Sequence, residues 1–473
     1  LLLAKNPSVR AMIQRDPLRL WISRNIQPLA FLSAYFVTIV AGNLIYATPW
    51  GAASLRASGL DTALLTFENT FTFGFWALLL CPFVVTPITV FLTRKVAAVP
   101  LNWASSFVSD LTPGTYAALT VLCYAFVGYR FWLADVAALF ISGTDAVSSV
   151  EARFEILDRI GYFTLVTLQS FLPFLAIYSL IRATRDRILF WILATIFNTT
   201  MMSILLILLN MKWPVLLFYI GLVMAVFVYS ARWAYLKAAV GAMLLVIAFL
   251  MVSTFVFRLA PASGVSTSEL DAARNATTSE AIATTSEAIA TTSEAAASHA
   301  PVLLIVALNR MAVTYPYYYQ IFTKEGSVCG GLLAQLHFGQ KCRPSTLVYS
   351  RIFRADGFEG RGTSPSSVHV SGYALGGWPM AFFMLISASV ILGVFASLPL
   401  DHSAVAGTVA IVGAMAGYHM SQLPLEGVII FDHGLLWTAL LLLVILVWSV
   451  YRRRDVHSGR QSLKGIVDGG TVE

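Results

Sequence analysis

An all-α polytopic membrane protein is the fold class that the sequence predicts, and three observations predict it. Hydrophobic residues make up 58% of the 473 and charged residues only 12%, a balance poor in the polar surface a soluble chain needs. The apolar residues fall in blocks of about 20, the length that crosses a hydrocarbon layer roughly 30 Å thick. Segments such as AVGAMLLVIAFLMVSTFVF carry no polar face at helical spacing, so their helices meet lipid or other helices on every side.

Ten spans are expected, over 27–47, 70–92, 115–134, 161–181, 188–209, 213–230, 238–257, 373–397, 404–421 and 427–450. With both ends in the cytoplasm, the inner segments and tails collect 17 Lys and Arg, and the short outer loops 5. Cytoplasmic segments of membrane proteins are rich in cations, so this orientation is expected and its reverse is not. Span-end placement also accounts for the net charge of +7, which excludes nucleic acid as a partner. Residues 1–26 read as a basic amphipathic arm lying on the cytoplasmic surface rather than a cleavable signal peptide, 27–257 as spans one to seven, 258–372 as a large outer segment, 373–450 as spans eight to ten, and 451–473 as a basic tail.

Function is expected in the outer segment. Cys329 and Cys342 lie close enough in sequence to bridge in an oxidising compartment, the alternative being two free thiols. Residues 277–297 use a seven-residue unit three times, as TTSEAIA twice and then TTSEAAA, which reads as a low-complexity spacer or a weak helix. The half over 301–370 is cationic, with seven basic residues against Glu325, Asp356 and Glu359. Within it, Arg310 and the cluster Tyr315, Tyr317, Tyr318 and Tyr319 suggest a helix on the membrane surface with an aromatic belt. Arg343, Arg351, Arg354 and Arg361 follow among glycines. Guanidinium groups grip phosphate oxygens bidentately and glycine lets a bulky anion come close, so the arginines are expected to bind a lipid-linked diphosphate, the alternatives being that they contact ordinary headgroups or fold the loop.

Titratable groups gather at the same level. His369 stands where the loop meets span eight, His419 ends span nine, and Asp432 with His433 begins span ten. Each histidine is a candidate proton acceptor or an ordinary helix-end residue bonded to a carbonyl. The sequence holds no Asp-x-Asp metal site, no Walker A loop, no His-Glu-x-x-His and no Gly-x-Ser-x-Gly, which argues against ATP-driven transport, metalloprotease chemistry and a standard cytoplasmic sugar-nucleotide transferase.

TSPSSVHVSGYALGGW, residues 363 to 378, sets Pro365, Tyr373, Gly376 and Gly377 at the opening of an apolar span. This pattern, with one large outer loop near the carboxyl end, resembles the bacterial O-antigen or oligosaccharide-repeat-unit polymerases of the Wzy type, relatives of the O-antigen ligases. The resemblance implies a metal-independent, cofactor-free glycosyltransferase of the bacterial inner membrane, with the GT-C-like architecture of membrane glycosyltransferases. It would transfer a growing glycan from undecaprenyl diphosphate onto the next undecaprenyl-diphosphate-linked repeat unit at the periplasmic face. It further implies that Arg310, Arg351, Arg354 and Arg361 bind the diphosphate, that His369 matches the ligase motif histidine, and that a chain-length regulator and a flippase are partners alongside membrane lipids.

The expected mechanism is direct displacement, with His369 or the His433 and Asp432 pair deprotonating the acceptor hydroxyl. Tyr317, Tyr318, Tyr373, Trp378 and His419 are the expected substrate-binding residues, the aromatics stacking on sugars or sitting in the interface belt. A transferase using polyprenyl monophosphate sugars and a lipid-linked oligosaccharide flippase are the alternatives. The first would use acidic residues in the first outer loop, where Asp61 and Glu68 stand, and the second would need charges deep in several spans.

Overall fold

A computed structural model gives the structure of residues 16–49, 51, 70–142, 146–230, 232–251, 312–337, 342–352, 362–400, 403–432 and 434–447. The repeat over 277–297, Arg310, Arg354, Arg361 and His433 lie outside these described residues. Apolar blocks form helices here because a helix satisfies its backbone N–H and C=O groups within itself, without water. In chain order, an arm helix α1 (Pro17–Arg24) precedes α2 (Ile26–Tyr46), α3 (Phe73–Phe107) and α4 (Pro113–Leu133). Two short helices, α5 (Val136–Ser142) and α6 (Ala146–Ile160), lead into α7 (Tyr162–Asp186), α8 (Leu189–Leu208), α9 (Lys212–Tyr229) and α10 (Ala234–Met251). Then come α11 (312–325), α12 (Gly331–Gln335), α13 (Pro344–Ile352), α14 (Val368–Ala396), α15 (Ala404–Met420) and α16 (Leu435–Val447).

Among the described residues, six helices are long and apolar enough to cross a membrane: α2, α3, α4, α7, α8 and α14. The shorter apolar helices α9, α10, α15 and α16 occupy the other positions where the sequence predicts spans. This is a helical membrane protein. Its centre is α15, buried along almost its whole length and packed against α2, α7, α9 and α14. The lipid-facing helices carry exposed Val84, Ile88, Leu193, Ile196, Met243 and Val246, which water would penalise and hydrocarbon accepts.

Helix ends inside this apolar body need partners, and charged side chains supply them at one pole. The last carbonyls of α9 have no N–H of their own, and the buried Arg19 guanidinium of α1 donates to the oxygens of Phe227, Val228 and Ser230 at 2.9, 2.9 and 2.6 Å. The first amides of α15 are matched by Asp110, which accepts from the N–H groups of Ala404 and Val405 at 2.6 and 3.3 Å. α1 turns Arg19 and Ser23 inward and leaves Leu18 and Trp21 exposed.

At the opposite pole the structure departs from the predicted spans. α14 is broken by Gly376 and Gly377, and Gly377 takes φ +67°, ψ −155°, a region open in practice only without a Cβ. A Cβ on Gly372 would lie 2.7 Å from the carbonyl oxygen of Met380, although eight residues of straight helix span about 12 Å. The chain therefore doubles back, and a short arm over 368–375 lies against the start of a long arm over 378–396. Every residue of the short arm is buried. The long arm stands where the span over 373–397 is expected, and the reversal before it replaces the expected loop-to-membrane join at His369.

The tyrosine cluster is also inside. α11 packs with α2, α3, α13 and the short arm in a second core built on Tyr35, Phe75, Leu78, Tyr315, Tyr318 and Tyr373. Tyr315, Tyr317, Tyr318 and Tyr319 are all buried, so the expected surface helix with an aromatic belt is not what forms. Pro316 shows how α11 is held. Proline has no N–H to give the carbonyl four residues back, and Asn43 of α2 donates to that orphan, the Ala312 oxygen, at 3.2 Å.

Substituting Gly377→Ala should destabilise the protein by about 1–3 kcal/mol, because the strain is in the backbone itself. Gly114→Ala, in open space at the start of α4, should show no loss, and the two midpoints of thermal unfolding in detergent check the contrast.

Candidate functional site

The pole opposite Arg19 carries the disulfide, and the functional groups collect there. Cys329 and Cys342 are bonded to each other. Gln335, at the end of α12, donates through Nε2 to the carbonyls of both half-cystines at 3.1 Å each, which clamps the loop across its own base. The Val328 N–H reaches the Ala374 oxygen at 3.4 Å, so the loop also seals the end of the short arm. Arg343 follows directly on Cys342, and its guanidinium lies over the Phe431 ring at 5.3 Å.

Beside it is the turn from α15 to α16. Tyr162, at the start of α7, donates to the Ile430 oxygen at 2.5 Å and accepts from Trp437 Nε1 at 2.6 Å, tying the turn to two helices. This turn carries Glu426 and Asp432, and the charge of Arg343 acts on both. Burial raises the Glu426 carboxyl above the ordinary carboxylate range, Arg343 opposes that rise, and the negative charge of Asp432 adds to it.

A cavity of about 150 Å³ opens among the ends of α7, α8, α9 and α15. Apolar residues line most of it, with polar groups from Gln169, Trp213, His419 and Asp432. The indole N–H of Trp213 can only donate, and it points at His419 Nε2 at 2.6 Å. His419 Nε2 is therefore the lone-pair nitrogen and Nδ1 carries the proton. A few polar groups fixed in an apolar hollow are the usual composition of a small-molecule site.

The sequence-predicted residues divide sharply. Asp432 and His419 line the cavity. His369 does not: it is 0% exposed, and both ring nitrogens have partners. Pro82 of α3 leaves the Leu78 carbonyl without its backbone donor, the weak Cys81 thiol donates to it at 3.3 Å, and His369 Nε2 lies 3.1 Å from that oxygen, while Nδ1 lies 3.1 Å from Ser367 Oγ. Tyr35 donates to the next carbonyl, Leu79, at 2.9 Å. His369 is a structural donor to a proline-broken helix, which corrects its assignment as the base at the membrane surface.

The aromatic candidates are packing residues as well. Tyr373 stacks on Tyr319 at 5.9 Å and shares a 2.9 Å hydrogen bond with Thr323. Trp378 meets Tyr373 edge-on at 5.8 Å, Tyr317 is buried, and the Tyr318 hydroxyl donates to the Ser364 carbonyl at 3.0 Å. Of the four arginines assigned to a diphosphate, Arg351 is described, and Glu325 engages it at 3.2 Å. Sequence reasoning passed over Glu426, Gln169 and Trp213, and placed Arg343 only as one of the arginine cluster. The available signal was the acidic residue in SQLPLEG, a turn between two apolar helices where a buried carboxylate needs a reason.

The fold and site together define an α-helical membrane protein with a mostly apolar cavity, set with a few polar groups, and a group of charged side chains at its disulfide pole. No family model, curated protein or solved structure matches the chain.

His369→Gln should keep the stability of the wild type, because the Gln amide N–H can replace Nε2–H at the Leu78 oxygen. His369→Leu should cost about 1–3 kcal/mol by leaving that carbonyl only the weak Cys81 thiol as a donor. Thermal unfolding in detergent measures both, and a stable His369→Gln protein with its activity abolished would contradict the structural role.

Proposed function

We propose that the chain is a glycosyltransferase of the bacterial inner membrane that extends undecaprenyl-diphosphate-linked oligosaccharide repeat units at its periplasmic face. In this reading the chain has ten spans and both ends in the cytoplasm, with the disulfide pole outward. The observation that carries it is the cavity at the disulfide pole, with His419, Gln169, Trp213 and Asp432 in an otherwise apolar wall and Arg343 beside Asp432. Hydroxyl-rich sugar suits such polar groups, and a lipid-linked diphosphate presents its negative charge at the depth of a cation like Arg343. The resemblance of residues 363–378 to the repeat-unit polymerases supports the same reading.

The chemistry is a displacement. An acceptor hydroxyl gives its proton to a base, for which the His433 and Asp432 pair is the remaining candidate, and forms a bond to the anomeric carbon; the bond from that carbon to the diphosphate breaks, and its electron pair leaves with undecaprenyl diphosphate. Negative charge grows on the departing oxygens, and a guanidinium fixed nearby lowers the barrier most when it needs no reorganisation. A chain-length regulator and a flippase are the partners this reaction calls for.

Purified protein in liposomes, given an undecaprenyl-diphosphate-linked repeat unit, should yield a ladder of longer lipid-linked glycans and free undecaprenyl diphosphate. Unaltered substrate crossing the bilayer would instead mark a flippase, and transfer confined to monophosphate sugars would mark the other transferase. Arg343→Lys keeps the charge and loses the fork, and should slow the ladder by about 10²-fold.

A further inference from the structure

The cavity of about 150 Å³ has room for a single six-membered ring. Two of its polar side chains come from irregular helix turns. Gln169 stands on a π-helical turn of α7, Thr167–Phe171, and Asp432 follows directly on another, Gly427–Phe431, in the turn before α16. Such turns insert one residue into a helix, which re-aims the side chains beside it, and they are frequent at functional sites. Here the two are tied together. Ser170 Oγ, on the first, donates to the Gly434 oxygen at 3.2 Å, and Tyr162, at the start of the same helix, donates to the Ile430 oxygen of the second at 2.5 Å. One fixed unit therefore offers an amide and a carboxylate to the same hollow.

The other two polar groups are engaged with each other. The Trp213 N–H is directed at His419 Nε2 at 2.6 Å, and His419 Nδ1 is buried. Gln169 is half-buried and Asp432 exposed, and neither side chain makes a hydrogen bond to protein among the described residues. Water serves both until a guest displaces it. A carboxylate only accepts and an amide both donates and accepts, so together they match two hydroxyls on one edge of a ring. The rest of the wall sets the opposite requirement. Leu206, Leu217, Met415 and Leu423 offer no hydrogen bond, so a hydroxyl turned towards them loses its water without replacement, whereas a methyl group gains by burial.

We propose that the cavity is the subsite for one sugar ring of the repeat unit and that it selects a deoxyhexose, a sugar whose terminal carbon is a methyl group. Gln169 and Asp432 hold two ring hydroxyls, and the apolar wall receives the methyl. This rests on the glycosyl-transfer reading and names a sugar class that reading leaves open. Both residues determine specificity in this assignment, which concerns recognition of the ring and adds no step to the chemistry. Gly427 offers a way to disturb the site with both side chains kept. A Cβ there would run into Asp432 Oδ2, so Gly427→Ala must push the end of that flexible side chain aside.

Purified wild type, Gln169→Leu and Gly427→Ala in detergent are titrated with methyl glycosides of deoxyhexoses and of their parent hexoses, in the gluco, galacto and manno series. Saturation-transfer NMR reads the binding, and the liposome transfer assay is run on the same preparations. In the series that binds, the deoxy glycoside should bind about tenfold or more tightly than its parent, the effect of one hydroxyl set against an apolar wall. Gln169→Leu and Gly427→Ala should each weaken that binding by about tenfold while unfolding at the wild-type temperature. A ladder from the wild type together with equal affinities within every pair, or with no glycoside bound, overturns the subsite and leaves the polymerase reading standing. Wild-type binding in both variants overturns the role of Gln169 and Asp432. A deoxyhexose preference without any transfer sinks the polymerase reading and leaves a sugar site, and neither binding nor transfer sinks both. Should a variant fail to fold, the paired affinities of the wild type still decide.

Discussion

A carbonyl that loses its helical N–H inside an apolar bundle must be given another donor, because no water is there to replace it. Much of the architecture at the disulfide pole answers this constraint. Pro82 strands the Leu78 oxygen, and His369 reaches it from the short arm of α14. Pro316 strands the Ala312 oxygen, and Asn43 reaches it from α2. Each repair joins helices distant in sequence, so a local defect becomes a tertiary tie. The short arm, fixed to α3 in this way, receives the Val328 N–H at its other end, and Val328 leads into the disulfide loop whose last half-cystine precedes Arg343. The position of the cation beside the turn thus traces back to a proline in α3.

The same constraint explains what the sequence could and could not disclose. Long apolar runs need only one helix each to satisfy their backbone, so span positions are written locally, and apolar helices stand at all ten expected places. The reversal at Gly376 and Gly377 leaves no such mark. Hydropathy continues unbroken across the pair, and two glycines read equally well as the opening of a span. His369 was misread for a related reason: a histidine where a loop enters an apolar run looks titratable, and the oxygen that employs it belongs to Leu78, 291 residues away in sequence. Four tyrosines round a proline fit an interfacial belt or a buried aromatic core equally well, and the packing of Phe75 against Tyr315 and Tyr319 decides for the core.

Part of the site was legible. Asp432 and His419 stand out as rare titratable groups at span ends, and both line the cavity. Trp213 was hidden because tryptophan at a span end is ordinary, and its value here lies in one hydrogen bond to His419 that fixes a tautomer. Glu426 was hidden because what distinguishes it is burial, a property of three segments meeting: the α15 to α16 turn, the disulfide loop and α11. No single stretch of sequence states that meeting.

Those segments matter together because electrostatic help depends on fixed charges more than on their number. A guanidinium on a free loop gives up much of its advantage in being ordered around an anion, whereas one already held does not. Arg343 is held from three directions. The disulfide closes the loop just before it, Gln335 clamps both half-cystine carbonyls, and the Phe431 ring lies under the guanidinium. The two carboxyls of the neighbouring turn supply opposite charge to this half-buried cation, and Tyr162 and Trp437 hold that turn in its place. A cation and a carboxyl set at one end of an apolar cavity by covalent and hydrogen-bonded restraints, rather than by each other alone, remain available to a third, ligand charge. That availability separates this cluster from the opposite pole, where Arg19 spends its donors on the helix carbonyls it caps.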